Sequence, residues 1–327
     1  QYDHVKQGKR QVGSTFKPFV YATAIMNLGM TPCSTVSNAT YTKGSWNVKG
    51  NGANLTLRDA LAHSQNPVAV RLMEMVGNKK VVQFARDLGV TENIDANLAS
   101  ALGSSDITIY EMLGAYSTFG NFGNYVKPEM IWRIEDANGR VIKEVKNETK
   151  EVMNEKYAYT MVDLMMGVTK FGTASGELRR LGVPESVEIA GKTGTTQNNS
   201  DGWFMGITPN LATGVWVGWE DRATHFFSTG EGQGARMALP IWGIFMKKVW
   251  ADKSLGILPE DKFIKPSDWS GGCDDLRGMG SGYGDEGGLQ TLDQIKNPRP
   301  KEEKQKAKPK EENLNDKLNK DEVNFNQ

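Results

Sequence analysis

Three short patterns, in this order along the chain, carry side chains suited to covalent acyl transfer: Ser14-Thr15-Phe16-Lys17, then Ser64-Gln65-Asn66, then Lys192-Thr193-Gly194. The first offers a hydroxyl nucleophile and an amine to activate it. The second adds a hydroxyl and an amide that can relay protons, and the third a cation and hydroxyls that can hold an anionic substrate. Residues three apart lie on one face of a helix, so a helical reading brings the Lys17 amine back beside the Ser14 hydroxyl. An alkyl ammonium has a reference pKa of about 10.4 and accepts a proton near neutrality only where burial or a nearby cation favours its neutral form. Lys192 and the start of the helix are the groups able to supply that bias.

These side chains need elements to position them. Gly13 precedes the serine, and Phe16, Phe19, Val20, Ala22, Ala24, Ile25 and Met26 follow until Gly29, the pattern of a buried helix stopped by a glycine. Ser14 then sits at the helix N-terminus, where its backbone N–H faces a developing oxyanion, and Pro18 falls in the first turn, where a missing donor costs little. Ser64 follows the helical run Leu57-Arg58-Asp59-Ala60-Leu61-Ala62, whereas the competing Ser45-Trp46-Asn47 lies among glycines and asparagines that read as loop, so Ser64 is preferred. Lys192-Thr193-Gly194 lies between Val187-Glu188-Ile189-Ala190-Gly191 and Thr195-Thr196, a strand signal whose glycines let another chain approach closely. A substrate peptide can lie antiparallel on that edge, with the Thr195 N–H completing an oxyanion hole and Lys192, Thr193 and Thr195 holding a terminal carboxylate. A Ser-x-x-Lys pair alone is expected about once by chance in a chain of ordinary composition, so the weight lies in the ordered company of all three patterns.

In these residues the chain resembles the penicillin-binding proteins, specifically the transpeptidase domain of the bifunctional class A enzymes; the three patterns are the known signature set of penicillin-binding proteins and class A β-lactamases. Gly13-Ser14-Thr15-Phe16-Lys17-Pro18-Phe19-Val20-Tyr21-Ala22 resembles the nucleophile segment of that class. Ala190-Gly191-Lys192-Thr193-Gly194-Thr195-Thr196, followed by Asp201-Gly202-Trp203-Phe204-Met205-Gly206, resembles its substrate strand and the next strand, and the likeness covers roughly residues 8 to 250. The resemblance implies that Ser14 is acylated, that Lys17 is the base, that Ser64 and Asn66 form the second motif, and that Lys192, Thr193, Gly194 and Thr195 belong to the third. It implies a peptidoglycan stem peptide ending in D-Ala-D-Ala as substrate: D-Ala leaves, and an amine of a neighbouring stem peptide resolves the acyl-enzyme to give a cross-link. β-Lactam antibiotics are then expected to acylate the same serine, and no cofactor or metal is implied. The family further implies a membrane-anchored protein working outside the cytoplasmic membrane. Because Ser14 stands so near the first residue, the opening strands, membrane anchor and glycosyltransferase domain that the family places upstream are expected to lie outside this sequence. Three other readings share the patterns. A serine β-lactamase needs a water-activating base such as the glutamate of Glu-x-x-Leu-Asn, which does not occur between the second and third motifs. A D-Ala-D-Ala carboxypeptidase would transfer to water, and a non-catalytic penicillin sensor would use acylation as a signal.

Composition agrees with a folded enzyme, since 327 residues with 38% hydrophobic content can bury one large core or two modest ones. Charges balance at 39 basic and 39 acidic residues, which argues against a nucleic-acid partner or a polybasic membrane patch. Cys33 and Cys273 form no Cys-x-x-Cys or zinc spacing, and that spacing alone does not establish a disulfide. His4, His63 and His225 belong to no His-Glu-x-x-His pair, no Gly-x-Ser-x-Gly elbow occurs, and His63 reads as a packing or surface residue. Gly282, Gly284 and Gly287 match Gly-x-Gly-x-x-Gly without a strand before or a helix after, and read as flexible linker.

Along the chain, a largely helical region is expected from Leu55 to Phe119, including Val68 to Val76 and Lys79 to Leu88. The run Met130 to Ile134 reads as β, with a hairpin turn at Asn138-Gly139, and Tyr157 to Thr169 reads as a helix. Strands are expected at Val187 to Gly191, Trp203 to Ile207 and Ala212 to Trp219, and an apolar helix from Ala235 to Trp250. No run is long enough to span a bilayer. The predicted fold is α+β: an antiparallel meander flanked by helices on both faces, a helical lobe carrying Ser14 and Ser64, and the site at their junction. Residues 1–266 are expected to form the domain and 267–327 a Gly-rich linker and a disordered charged tail.

Overall fold

The computed structural model describes residues 2–146, 149–269 and 271. The chain opens with β1 (Lys9–Gln11), a 3-10 turn (Gly13–Phe16) and α1 (Lys17–Leu28). Two small antiparallel pairs follow: β2 (Thr35–Ser37) joins β5 (Asn54–Thr56) around the hairpin of β3 (Tyr41–Lys43) and β4 (Trp46–Val48). Helices α2 (Leu57–Ala62), α3 (Asn66–Val76) and α4 (Asn78–Asp87) complete this lobe. Strand β6 (Asp106–Thr108) returns to pair with β1 and leads into α5 (Ile109–Gly120). An outlying arm holds β7 (Asn124–Val126), the hairpin of β8 (Arg133–Glu135) and β9 (Val141–Glu144), and β10 (Thr149–Glu151), which pairs with β7. Then come α6 (Glu155–Lys170), α7 (Ser175–Arg180), the meander of β11 (Ala190–Thr195), β12 (Asp201–Thr208) and β13 (Leu211–Gly218), the single turn α8 (Thr229–Gly232), and α9 (Gly234–Ala251).

Local sequence explains most of these boundaries. Every residue of α1 from Lys17 to Ile25 is buried, so this is an interior helix rather than an amphipathic one, and it stops at Gly29 in the left-handed conformation. The Thr56, Thr108 and Asn154 side chains accept N–H groups in the first turns of α2, α5 and α6, each with an acid in that turn to complement the helix dipole. Strand β12 is central in the order β11-β12-β13 and is buried along its whole length, because helices cover both faces of the sheet. On one face Phe204 meets Trp242 of α9, ring centroids 5.0 Å apart; on the other Trp203 donates from Nε1 to the Gln11 carbonyl at 2.9 Å.

The predicted α+β architecture is therefore present, with these differences. Ser14 lies in a 3-10 turn and the α-helix proper begins at Lys17. The strand that carries the third motif begins at Ala190, not Val187, because Val187 donates to the Pro184 carbonyl in a turn and the Glu188 carboxylate is occupied by the Phe263 N–H and Lys262. Of the run Met130 to Ile134, Arg133 and Ile134 enter the strand and the Trp132 carbonyl accepts from the Val145 N–H at 2.8 Å, while the Asn138-Gly139 turn forms as expected, with the Asp136 N–H donating to the Arg140 carbonyl at 2.9 Å. Asp268 and Trp269, from the predicted linker, meet α6: Trp269 lies edge-on to Tyr159 at 4.9 Å and Lys156 pairs with Asp268. The rest of that linker and tail, Cys273 and the Gly282, Gly284 and Gly287 match lie outside the described residues. Among the described residues no helix is long and apolar enough to cross a membrane.

Candidate active site

The turn that carries Ser14 is fastened from several directions. Gly13 adopts φ +55°, and a Cβ there would lie 2.7 Å from the Thr195 carbonyl oxygen, so only glycine lets this turn press against the end of β11. Its N–H donates to the Gly103 carbonyl at 3.0 Å, and the Tyr116 hydroxyl, buried in α5, donates to the Thr15 carbonyl at 2.6 Å. Ser14 emerges half-buried, while Lys17, one turn on, is fully buried.

The second wall is the end of α2. The Ser64 N–H donates to the Leu61 carbonyl and the Gln65 N–H to the Ala60 carbonyl, the paired bonds of a Schellman cap with Ser64 at its left-handed position, φ +55°. Glycine usually fills that position; serine costs roughly 1 kcal/mol there. The turn it permits presents both the carbonyl and the hydroxyl of Ser64 to the Lys17 amine, which donates to the carbonyl and lies 3.1 Å from Oγ. Asn66, at the start of α3, accepts from Lys17 at Oδ1 over 2.6 Å. Gln65 is held from behind by the buried Asn38, whose Nδ2 donates to Gln65 Oε1 at 2.8 Å.

Strand β11 forms the third wall. Lys192 is fully buried and donates to Ser64 Oγ at 2.9 Å and to the Thr193 carbonyl at 3.0 Å. One hydroxyl oxygen thus stands between two buried amines. Burial first, and then the charge of Lys192, hold Lys17 well below the ordinary lysine range. Burial brings Lys192 down to about 7. The Thr196 N–H donates across to the Asp201 carbonyl, so the alternation of the strand directs the Thr193 and Thr195 N–H groups away from β12, towards the free edge of the meander. Thr195 Oγ1 accepts from the Gly234 N–H at 3.1 Å, and Thr193 Oγ1 lies 2.7 Å from Thr173 Oγ1.

Beyond Thr195 the strand is anchored by a buried ion pair. Asp201 accepts from Arg10 Nε at 2.7 Å, Trp216 Nε1 at 3.0 Å, Ser200 Oγ at 2.8 Å and Thr196 Oγ1 at 3.1 Å. The Arg10 guanidinium also lies over the Trp216 ring, 5.2 Å from its centroid.

Of the residues expected from the sequence, Lys17, Ser64, Asn66 and Lys192 meet in one hydrogen-bonded cluster. Thr193, Gly194 and Thr195 line the adjoining strand, and Ser14 stands on the turn packed against its end. Ser45-Trp46-Asn47 lies apart, in the exposed turn and hairpin of β3 and β4. His63 is exposed, its ring 6.2 Å from that of Phe171. Among the described residues no group of three or more His, Cys, Asp or Glu side chains is arranged to hold a metal. Sequence reasoning missed Thr173, Asn38, Tyr116 and the Arg10–Asp201 pair. Of these only Asp201 carried a local signal, the Asp-Gly-Trp-Phe run after the third motif.

A family model described as "Penicillin binding protein transpeptidase domain" matches residues 3–225. The chain is similar to penicillin-binding protein 1A of Aquifex aeolicus, 38% identical over 260 residues that cover 76% of this chain and 34% of that protein. It is also similar to penicillin-binding protein 2D of Bacillus subtilis, 32% identical over 284 residues covering 83% and 39%. The chain spans about a third of the length of the curated relatives it matches. Among solved structures, penicillin-binding protein 1A from Haemophilus influenzae superposes with a TM-score of 0.72 at 25% identity, over 82% of this chain and 45% of that one. The PonA1 protein from Mycobacterium tuberculosis in complex with penicillin V does so with a TM-score of 0.68 at 23% identity, over 82% and 74%.

Proposed function

The chain belongs to the penicillin-binding protein transpeptidase domain family, and on that premise we propose that it cross-links peptidoglycan as a serine D-Ala-D-Ala transpeptidase that β-lactams inhibit. The observation that carries the reading is the placement of two fully buried amines, Lys17 and Lys192, at 3.1 and 2.9 Å from the Ser64 hydroxyl.

A neutral amine has two N–H groups and one lone pair. Asn66 Oδ1 and the Ser64 carbonyl engage the two N–H groups of Lys17, which leaves the lone pair for a hydroxyl proton. In the resting site that proton is Ser64's. When the Ser14 oxygen attacks the penultimate carbonyl of a stem peptide, its proton passes to Lys17. The tetrahedral oxyanion lies against the Ser14 and Thr195 N–H groups, while Lys192, Thr193 and Thr195 hold the terminal carboxylate. As the C–N bond breaks, the departing D-Ala amine takes a proton relayed through Ser64 from the two lysines. The acceptor amine of a second stem peptide then attacks the Ser14 ester, forms the new amide, and returns the proton to Ser14. A β-lactam is opened by the same attack, but its leaving nitrogen stays tethered and blocks the acceptor. Such a substrate implies work outside the cytoplasmic membrane, periplasmic or on its outer face.

Neither lysine nor Ser64 has a carboxylate among its hydrogen-bond partners in the described residues, which favours transfer to an amine over activation of water. Intact-mass analysis after exposure to benzylpenicillin tests the reading. One penicilloyl adduct is expected, retained for many minutes and absent from Ser14→Ala. An adduct that persists in Ser14→Ala, or none on the wild-type chain, would overturn it, and release within seconds would point to a hydrolase.

A further inference from the structure

The connection between α6 and α7 lies between two walls of the cleft and belongs to none of the three motifs. The Gly172 N–H donates to the Gly167 carbonyl at 2.9 Å and the Ala174 N–H to the Val168 carbonyl at 3.0 Å, which pins the connection to α6. The Thr173 N–H donates to the Ala62 carbonyl at 3.0 Å, at the last residue of α2, and a Cβ on Gly172 would come within 2.2 Å of that same oxygen. The backbone is thereby seated against the helix whose C-terminal cap carries Ser64. The exposed Thr173 side chain reaches the other way, its Oγ1 2.7 Å from Oγ1 of Thr193 on β11.

We propose that Thr173 is a positioning residue for substrate capture: its hydroxyl donates to Thr193 and so commits the Thr193 hydroxyl to donate to the substrate carboxylate. This rests on the transpeptidase reading above. Two hydroxyls in contact share one hydrogen, so only one of them keeps a free O–H. If Thr193 donated to Thr173, it would offer a carboxylate nothing but lone pairs. With Thr173 as donor, the Thr173 O–H, the Thr193 O–H and the carboxylate form a chain in which each bond polarises the next. Thr195, two residues along the same face of the strand, is arranged in the same way. Its Oγ1 accepts from the Gly234 N–H at 3.1 Å, which leaves its own O–H free to donate. One threonine is supported by a backbone donor from α9, the other by a side chain from the α6–α7 connection.

The test is saturation kinetics of acylation by benzylpenicillin, with its methyl ester as a probe lacking the carboxylate. In Thr173→Val the concentration giving half-maximal acylation is expected to rise roughly tenfold, with the limiting rate constant within about twofold of wild type. Thr173→Ser, which keeps the hydroxyl, restores the wild-type value, and the ester reacts equally with wild type and Thr173→Val. Wild-type kinetics for Thr173→Val with benzylpenicillin would overturn the proposal. So would an equal loss against both probes, since that means the side chain only supports the fold. Failure of the wild-type chain to acylate at all would remove the transpeptidase reading itself, a result distinguishable from either.

Discussion

Two buried charged clusters lie along β11, and they solve opposite problems. Beside Lys192 the cleft holds two fully buried amines whose hydrogen-bond partners are all uncharged: a hydroxyl, an amide and carbonyls. Past Thr195, Arg10 and Asp201 form an ion pair whose carboxylate receives four donors. Burial without a counter-charge pushes the amines towards neutrality, the form the proposed mechanism needs in Lys17. Burial with a counter-charge makes a fastening, which ties the turn between β11 and β12 to β1. The chemistry follows from what accompanies a buried charge more than from the depth of its burial.

The largest effect expected from this contrast is on rate. Lys17→Met removes the proposed base, and acylation by benzylpenicillin should fall by about 10³-fold or more. Stability should stay within about 1 kcal/mol of wild type or rise, because the variant no longer buries an amine. Arg10→Met is expected to behave in the reverse order. It leaves Asp201 buried beside neutral donors only, at a cost of about 3–5 kcal/mol in denaturant unfolding, and acylation falls only as far as the strand end loosens. If Lys17→Met proved as destabilising as Arg10→Met, the distinction between the clusters would be lost.

The contrast also shows what the sequence made legible. Lys17 and Ser14 are three residues apart, a spacing that sets both on one turn of the opening helical segment, and the apolar runs with Thr56, Thr108 and Asn154 as caps announce the helices around them. Arg10 meets Asp201 across 191 residues, Tyr116 meets Thr15 across 101, and Asn38 meets Gln65 across 27. Each is a single polar residue whose partner is chosen by tertiary packing, so no spacing encodes it. The true start of β11 was hidden for a related reason. Val187 and Ile189 have strand-like side chains, yet the Pro184 turn and the capture of Glu188 by the 262–263 segment hold that stretch out of the sheet.

A smaller effect concerns pH. Burial lowers the Lys192 pKa to about 7, so its cation, and with it the carboxylate grip proposed for it, is lost as pH rises through that value. Second-order acylation by benzylpenicillin should decline by roughly tenfold from pH 7 to 9 and less steeply for the methyl ester. It should fall again in acid, where Lys17 takes up a proton. For stability the sign is opposite. Between about 7 and the unfolded lysine value near 10.4, the unfolded chain binds more protons than the folded one at these two sites, so their contribution to stability rises with pH. Denaturant unfolding at pH 7 and 9 should give a shallower rise in Lys17→Met than in wild type. Parallel slopes would mean that Lys17 is protonated in the folded state.

The smallest effect lies inside the amine cluster, at the oxygen between its two lysines. Ser64 occupies a left-handed helix cap at φ +55°, a place where a Cβ is strained and glycine is not. That strain holds the hydroxyl between the two amines. Ser64→Gly should relieve it and stabilise the chain by about 0.5–1 kcal/mol, while removing the relay and slowing acylation by about 10²-fold. Ser64→Ala keeps the strain and loses the hydroxyl, so it should match the glycine variant in rate and lack its gain in stability. The difference between the two in denaturant midpoint therefore isolates the conformational cost of aiming one oxygen. If the midpoints coincide, the cap carries no strain, and the left-handed turn at Ser64 is a matter of chain path rather than of chemistry.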